Sequence, residues 1–222
     1  MKRLQDFPQS KTPIKWVFAG DSITQGAFHT VGWRDYTEIF SERIRYELRR
    51  ADDIIIKAAY DGNTSRHLLE VFDWRIGQFQ PDVVFIMIGV NDCTMEDSGA
   101  RVPLKEFREN LLRLAEKLQK IQAIPVFQTS GLILPNEAPE RAPYLESYMA
   151  AVRDVAAAAD APLIDHNAHW RKMCKKQPAR FHYWLSDALH PNDMGHRVFA
   201  HCIFENLGIF DAKSPVCRAT YL

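Results

Sequence analysis

Short apolar runs alternate with longer stretches of helical period along this chain. Ile14-Lys15-Trp16-Val17-Phe18-Ala19 reads as a buried strand. Past a loop with Gly26 and Gly32, apolar residues recur at Trp33, Tyr36, Phe40, Ile44 and Leu48, which predicts a helix. Its opposite face carries Arg43, Glu47 and Arg50, and Asp52-Asp53 ends it. Residues 54–59 form a second strand, rich in β-branched residues. Thr64 or Ser65 suits the cap of a helix carrying Leu68, Leu69 and Phe72. Residues 83–88 are apolar on both faces, as in a strand covered from both sides.

The second half repeats this alternation. Leu104, Phe107, Leu111, Leu114, Leu118 and Ile121 step by three and four and predict a helix, and residues 124–128 a fourth strand. The prolines of residues 130–143 mark a long loop over the sheet edge or the site mouth. Leu145, Tyr148, Val152, Val155 and Ala159 mark the next helix, and residues 161–165 a short fifth strand. Residues 166–183 show no clear period, and their Arg171, Lys172, Lys175 and Lys176 suit a solvated surface. Met194, Val198, Cys202 and Leu207 mark a last helix. The tail from Asp211 has no assignment, although Val216, Tyr221 and Leu222 suit docking. Without repeat or linker, this order predicts an α/β fold with a five-stranded, mainly parallel sheet, as a single domain over residues 1–222.

Composition narrows the function classes. Lys+Arg and Asp+Glu number 28 each, so no overall field favours nucleic acid or an anionic membrane. Cys93, Cys174, Cys202 and Cys217 form no CxxC pair and no zinc spacing; they read as free thiols in a reducing compartment. Residues 1–13 lack the apolar core of a signal peptide, and no run approaches the roughly 20 residues of a membrane span. These features predict a cytoplasmic protein without nucleic-acid or membrane partners. The segment from Gly20 to Gly26 lacks the Gly-Lys-Ser/Thr ending of a phosphate-binding loop.

In a parallel α/β sheet, ligands bind beyond the carboxyl ends of the strands. Gly20-Asp21-Ser22, Gly62 and Asn91 all fall there. A serine hydroxyl is a poor nucleophile until a base takes its proton. Asp187 and His190 suit that task, because Asp-x-x-His places both on one short loop. The carboxylate can then accept from imidazole Nδ1–H while Nε2 turns to Ser22. Pro191 would stiffen the loop ahead of the last helix. The Asn91 amide and the backbone N–H groups of Ser22 and Gly62 suit a developing oxyanion.

Gly20-Asp21-Ser22-Ile23-Thr24, Gly62-Asn63, Gly89-x-Asn91-Asp92 and Asp187-x-x-His190-Pro191 resemble, in order, the four blocks of the SGNH hydrolases, also called the GDSL esterase/lipase family. The resemblance implies a flavodoxin-like three-layer α/β/α sandwich. It also implies ester hydrolysis through an acyl-enzyme, with no metal and no cofactor. It makes Ser22 the nucleophile, His190 the base and Asp187 its orienting acid, with Ser22, Gly62 and Asn91 as oxyanion donors. The surroundings of Ser22 and His190 look most like members acting on acetylated sugars. The expected substrate is therefore a short-chain, acetyl ester of a carbohydrate or small molecule. A lysophospholipase or acyl thioesterase is the enzymatic alternative, and a non-catalytic binding module the other. Members of the family include assemblies, so the resemblance allows a homo-oligomer.

Other residues read more plainly. Asp21 and Asp92 are expected to hold turns rather than react. Trp33 and Trp184 suit pocket lining or core equally. His29 reads as a surface-loop histidine, with the pocket rim as the alternative. His166 and His169 read as structural rather than as a metal pair, and His196 and His201 as facing solvent or packing.

Overall fold

A computed structural model of the chain describes residues 4–94, 101–175 and 177–218. The readings of residues 1–3, Lys176, Tyr221 and Leu222 lie outside the described residues. Strands β1 (Lys15–Gly20), β2 (Ile54–Lys57), β3 (Val83–Met87), β4 (Ile124–Gln128) and β5 (Leu163–Ile164) form one sheet. Its order is β2-β1-β3-β4-β5 and every pair is parallel. The connections leave β1 toward β2 on one side and return to β3 on the other. This reversal opens a crevice at the carboxyl ends of β1 and β3.

The helices are α1 (Ser22–Gln25), α2 (Tyr36–Glu42), α3 (Ser65–Glu70), α4 (Phe72–Arg75), α5 (Leu104–Lys120), α6 (Ala142–Ala158), α7 (His166–Met173) and α8 (Asp193–Asn206). Helices α2, α7 and α8 pack in one layer, and α3, α5 and α6 in the other, giving the three-layer α/β/α arrangement. Strand side chains alternate between the layers. Phe18 and Phe85 stack at 4.6 Å beneath α2, where Phe40 meets Trp16 at 5.4 Å. The intervening Val17, Ala19, Val84 and Ile86 are also buried. Each large apolar side chain buried here contributes about 1.5–3 kcal/mol before its entropy cost.

Local chemistry moves several boundaries. The helix predicted from Trp33 starts at Tyr36, because Asp35 and Glu38 form a capping box there. Trp33 therefore lies outside it and is exposed. Arg43 is buried rather than on an open face. A π-helical turn over Arg43–Glu47 aims it inward. Its Nε and Nη2 donate to the Ile209 carbonyl at 3.0 and 2.6 Å, and Nη1 donates to Glu47. Glu47 also accepts from Ser214 Oγ and the Val216 N–H, which docks the tail and buries Val216. Residues without a readable period contain α7 and a 3-10 helix, Pro178–Trp184. Trp184 is core, edge-on to Trp170 at 5.2 Å, and His196 and His201 are buried as well. All four cysteines are buried and free. Among the described residues, no helix is long and apolar enough to cross a membrane.

Candidate active site

Gly20 closes β1 against its neighbours. A Cβ there would lie 2.5 Å from both the Met87 carbonyl oxygen and Thr24 Oγ1. Glycine thus permits close approach of α1 to the end of β3. Asp21 caps that short helix by accepting from the Ile23 N–H at 3.0 Å. Ser22 becomes its first residue, almost wholly buried.

The Ser22 hydroxyl donates to His190 Nε2 at 2.8 Å, and His190 Nδ1–H donates to Asp187 Oδ2 at 2.7 Å. The loop bearing the last two closes on itself. Asp187 Oδ1 accepts the N–H groups of Leu189 and His190 at 2.9 and 2.8 Å. Leu185 and Pro191 form an antiparallel bridge across the loop's base. Asn192 then caps α8 by accepting from Met194 and Gly195. Gly195 is required by space, since a Cβ would lie 2.2 Å from the Trp184 carbonyl oxygen. The proline-rich loop braces this segment through the Leu134 N–H, which donates to the Ala188 carbonyl at 2.8 Å.

Burial is the largest influence on His190 and, with His29 beside it, holds the imidazole below its ordinary value against the opposing pull of Asp187. It is neutral at pH 7 and able to accept. Asp187 is half-exposed. Burial pushes its carboxyl up, but the Leu189 and His190 N–H groups and the imidazole outweigh that and hold it below the usual carboxylate range.

Gly62 follows β2 with φ +69°, the conformation that favours glycine. The Asn63 amide donates to the Gly20 carbonyl at 2.9 Å, and the Asn63 carbonyl accepts from Asn91 Nδ2 at 2.9 Å. One residue therefore ties together the segments leaving β1, β2 and β3. The Asn91 amide carries a second N–H beyond that bond. Asp92 accepts from the Ser65 N–H at 2.9 Å, so Asp21 and Asp92 both hold turns. Burial pushes Asp21 up to about 7 and Asp92 up to about 6.

Two residues here do more than the sequence reading assigns them. Asn63 is visible there only as the neighbour of Gly62. His29 lies face to face on His190, with ring centres 3.3 Å apart and planes 4° apart. The expectation of a surface-loop histidine gives way to the pocket-rim alternative, because the aperiodic loop that carries His29 folds back over the site. His166 and His169 take separate partners, Gln128 and Glu205. Among the described residues, His29, Asp187 and His190 bring ligand atoms within 4.8 Å of one another. Two parallel, stacked rings do not fan toward a common tetrahedral ion.

A buried serine bonded to a neutral imidazole, itself held by a carboxylate, suits nucleophilic acyl transfer. The model of the GDSL-like lipase/acylhydrolase family matches residues 18–198. An acetylxylan esterase of Geobacillus stearothermophilus is 23% identical over 208 residues, covering 87% of this chain and 94% of that protein. An isoamyl acetate-hydrolyzing esterase of Schizosaccharomyces pombe is 29% identical over 108 residues, 48% of this chain and 40% of that protein. Another curated relative is matched over 13% of its own length. The crystal structure of Axe2, an acetylxylan esterase from Geobacillus stearothermophilus, is similar with a TM-score of 0.73 and 25% identity, over 88% of this chain and 94% of that one.

Proposed function

Since the chain belongs to the GDSL-like lipase/acylhydrolase family, we propose that it is a serine carboxylic-ester hydrolase that removes short acyl groups, acetyl above all, from a carbohydrate or other small alcohol. The hydrogen-bond chain Asp187–His190–Ser22, at 2.7 and 2.8 Å, carries this reading. Ser22 Oγ attacks the ester carbonyl as His190 Nε2 takes its proton. Asp187 stabilises the imidazolium. The oxyanion accepts from the Asn91 amide and the backbone N–H groups of Ser22 and Gly62. Collapse expels the alcohol, which takes the proton from His190, and water repeats the sequence to free the acid. The acetate-ester relatives support the acyl length. A cytoplasmic setting belongs to the same proposal, since it would keep four buried thiols reduced.

Two measurable consequences follow from the site's geometry. Activity should fall as pH drops through the His190 pKa, because an imidazolium cannot accept the Ser22 proton. With that pKa below 6.5, the acid half-point of kcat/KM is expected below pH 6.5. An acid half-point above neutrality would contradict the arrangement. Asn91→Ala should lower kcat by roughly 10²-fold with KM little changed, because the oxyanion bond forms in the transition state. A change confined to KM would remove Asn91 from that role.

Rates on p-nitrophenyl esters from acetate to octanoate test the acyl preference, with Ser22→Ala beside the parent. Fast acetate cleavage lost in the variant is the expected result. One observation favours a longer acyl chain: Phe28, Val31 and Trp33 stand exposed on the loop that carries His29 to the site. Rates rising toward octanoate would select that reading. A parent inert to every ester and to fluorophosphonate would select the binding module.

A further inference from the structure

We propose that His29 is a positioning residue for His190, whose imidazole ring it stacks upon and shields. The inference rests on the reading of Ser22, His190 and Asp187 as nucleophile, base and orienting acid.

The chain is built to deliver this ring. Helix α1 ends at Gly26, at φ +73°, where a Cβ would come within 2.6 Å of Asp35. The Gly26 carbonyl then accepts from both the His29 and Thr30 N–H groups, at 2.9 and 3.1 Å. Thr30 is buried and anchors the far side of the turn. Lys57 ties the near side through the Gln25 carbonyl and Asp35. One turn after the nucleophile, the chain has doubled back over the base.

The stack answers a weakness of the loop. The Asp187 side chain is 46% exposed, against 13% for His190. A carboxylate open to water is a soft tether for an imidazole. The 3.3 Å face-to-face contact adds a second restraint and keeps water from one face of the ring. His29 Nδ1 also lies 3.6 Å from Asp187 Oδ2, the oxygen that accepts from His190.

The charged neighbours set the sign. Asp187 on the same loop and Asp61 after β2 favour the protonated form of His190; burial and His29 oppose it. His196 on α8 also acts on the pair, but burial pushes it down to about 4, so it stays neutral near pH 7. Removing His29 opens the stacked face of the ring to water, which relieves the burial that disfavours the imidazolium and so raises the His190 pKa.

The test compares the parent with His29→Ala and His29→Phe. Each is assayed for p-nitrophenyl acetate hydrolysis across pH, for His190 titration by NMR, and for thermal unfolding. His29→Ala should lower kcat roughly tenfold with KM little moved. It should shift both the acid limb and the NMR pKa upward by about half a unit or more. His29→Phe keeps a stacked, water-excluding ring and should recover most of the kcat loss. An unchanged kcat and His190 pKa in a folded His29→Ala protein would overturn the proposal. So would a phenylalanine variant as impaired as the alanine one. If the parent hydrolyses no ester, the functional reading fails instead, and the NMR titration still decides whether His29 governs His190.

Discussion

Ser22→Ala should abolish ester hydrolysis, by about 10⁴-fold or more, and leave the fold intact. The substitution removes one hydroxyl whose partner is His190 Nε2. The cap of α1 is Asp21, so the helix keeps its N-terminal acceptor. His190→Ala should cost as much, and the double variant little more, because nucleophile and base act as one unit. Single-turnover rates and mass-spectrometric detection of fluorophosphonate on the Ser22 peptide measure both sides. Substantial hydrolysis by Ser22→Ala would end the assignment.

Asp187→Asn is expected to reduce kcat by roughly 10³-fold. Its side-chain oxygen can still accept the Leu189 and His190 N–H groups, so the loop should survive. Its amide nitrogen would instead donate to His190 Nδ1. That forces the imidazole proton onto Nε2, where it faces Ser22 and cannot act as a base. Asp187→Ala would also release the loop clamp, which makes asparagine the cleaner test. Because Asp187 is half-exposed, water can partly restore the productive tautomer, and the loss stays below that of Ser22→Ala. Near-parental kcat in Asp187→Asn would show that the carboxylate does not orient the base.

Much of this architecture is legible in the chain itself. The spacing through Phe107, Leu111, Leu114 and Leu118 marks α5 because these residues form one buried apolar stripe, while Ile121 caps the helix and is exposed. Residues 83–88 mark β3 because a central parallel strand is buried on both sides. Asp187 and His190 are legible as a pair because three residues on a tight loop bring them within reach. Helix α7 is harder to see, since its inward residues are His166, Asn167 and Trp170 rather than an aliphatic run. Arg43 misleads for a related reason. An arginine reads as exposed unless the chain supplies acceptors, and here Glu47 lies one turn away while the Ile209 carbonyl arrives from 166 positions along the chain.

The sequence by itself determines the order of the strands and of the helices with an aliphatic stripe, the parallel sheet and the short-range contacts of the Asp187–His190 loop. Those features depend on periodicity and on neighbours a few residues apart. Tertiary structure decides the rest. It brings Ser22 to His190 across 168 positions. It joins Gly20, Asn63 and Asn91 through side-chain bonds, buries Trp184 while leaving Trp33 exposed, and lays His29 over the His190 ring. The physical reason is that polar side chains in aperiodic loops carry no burial pattern of their own. Their partners, their exposure and their charge state are set by whichever distant segment the packed sheet places against them.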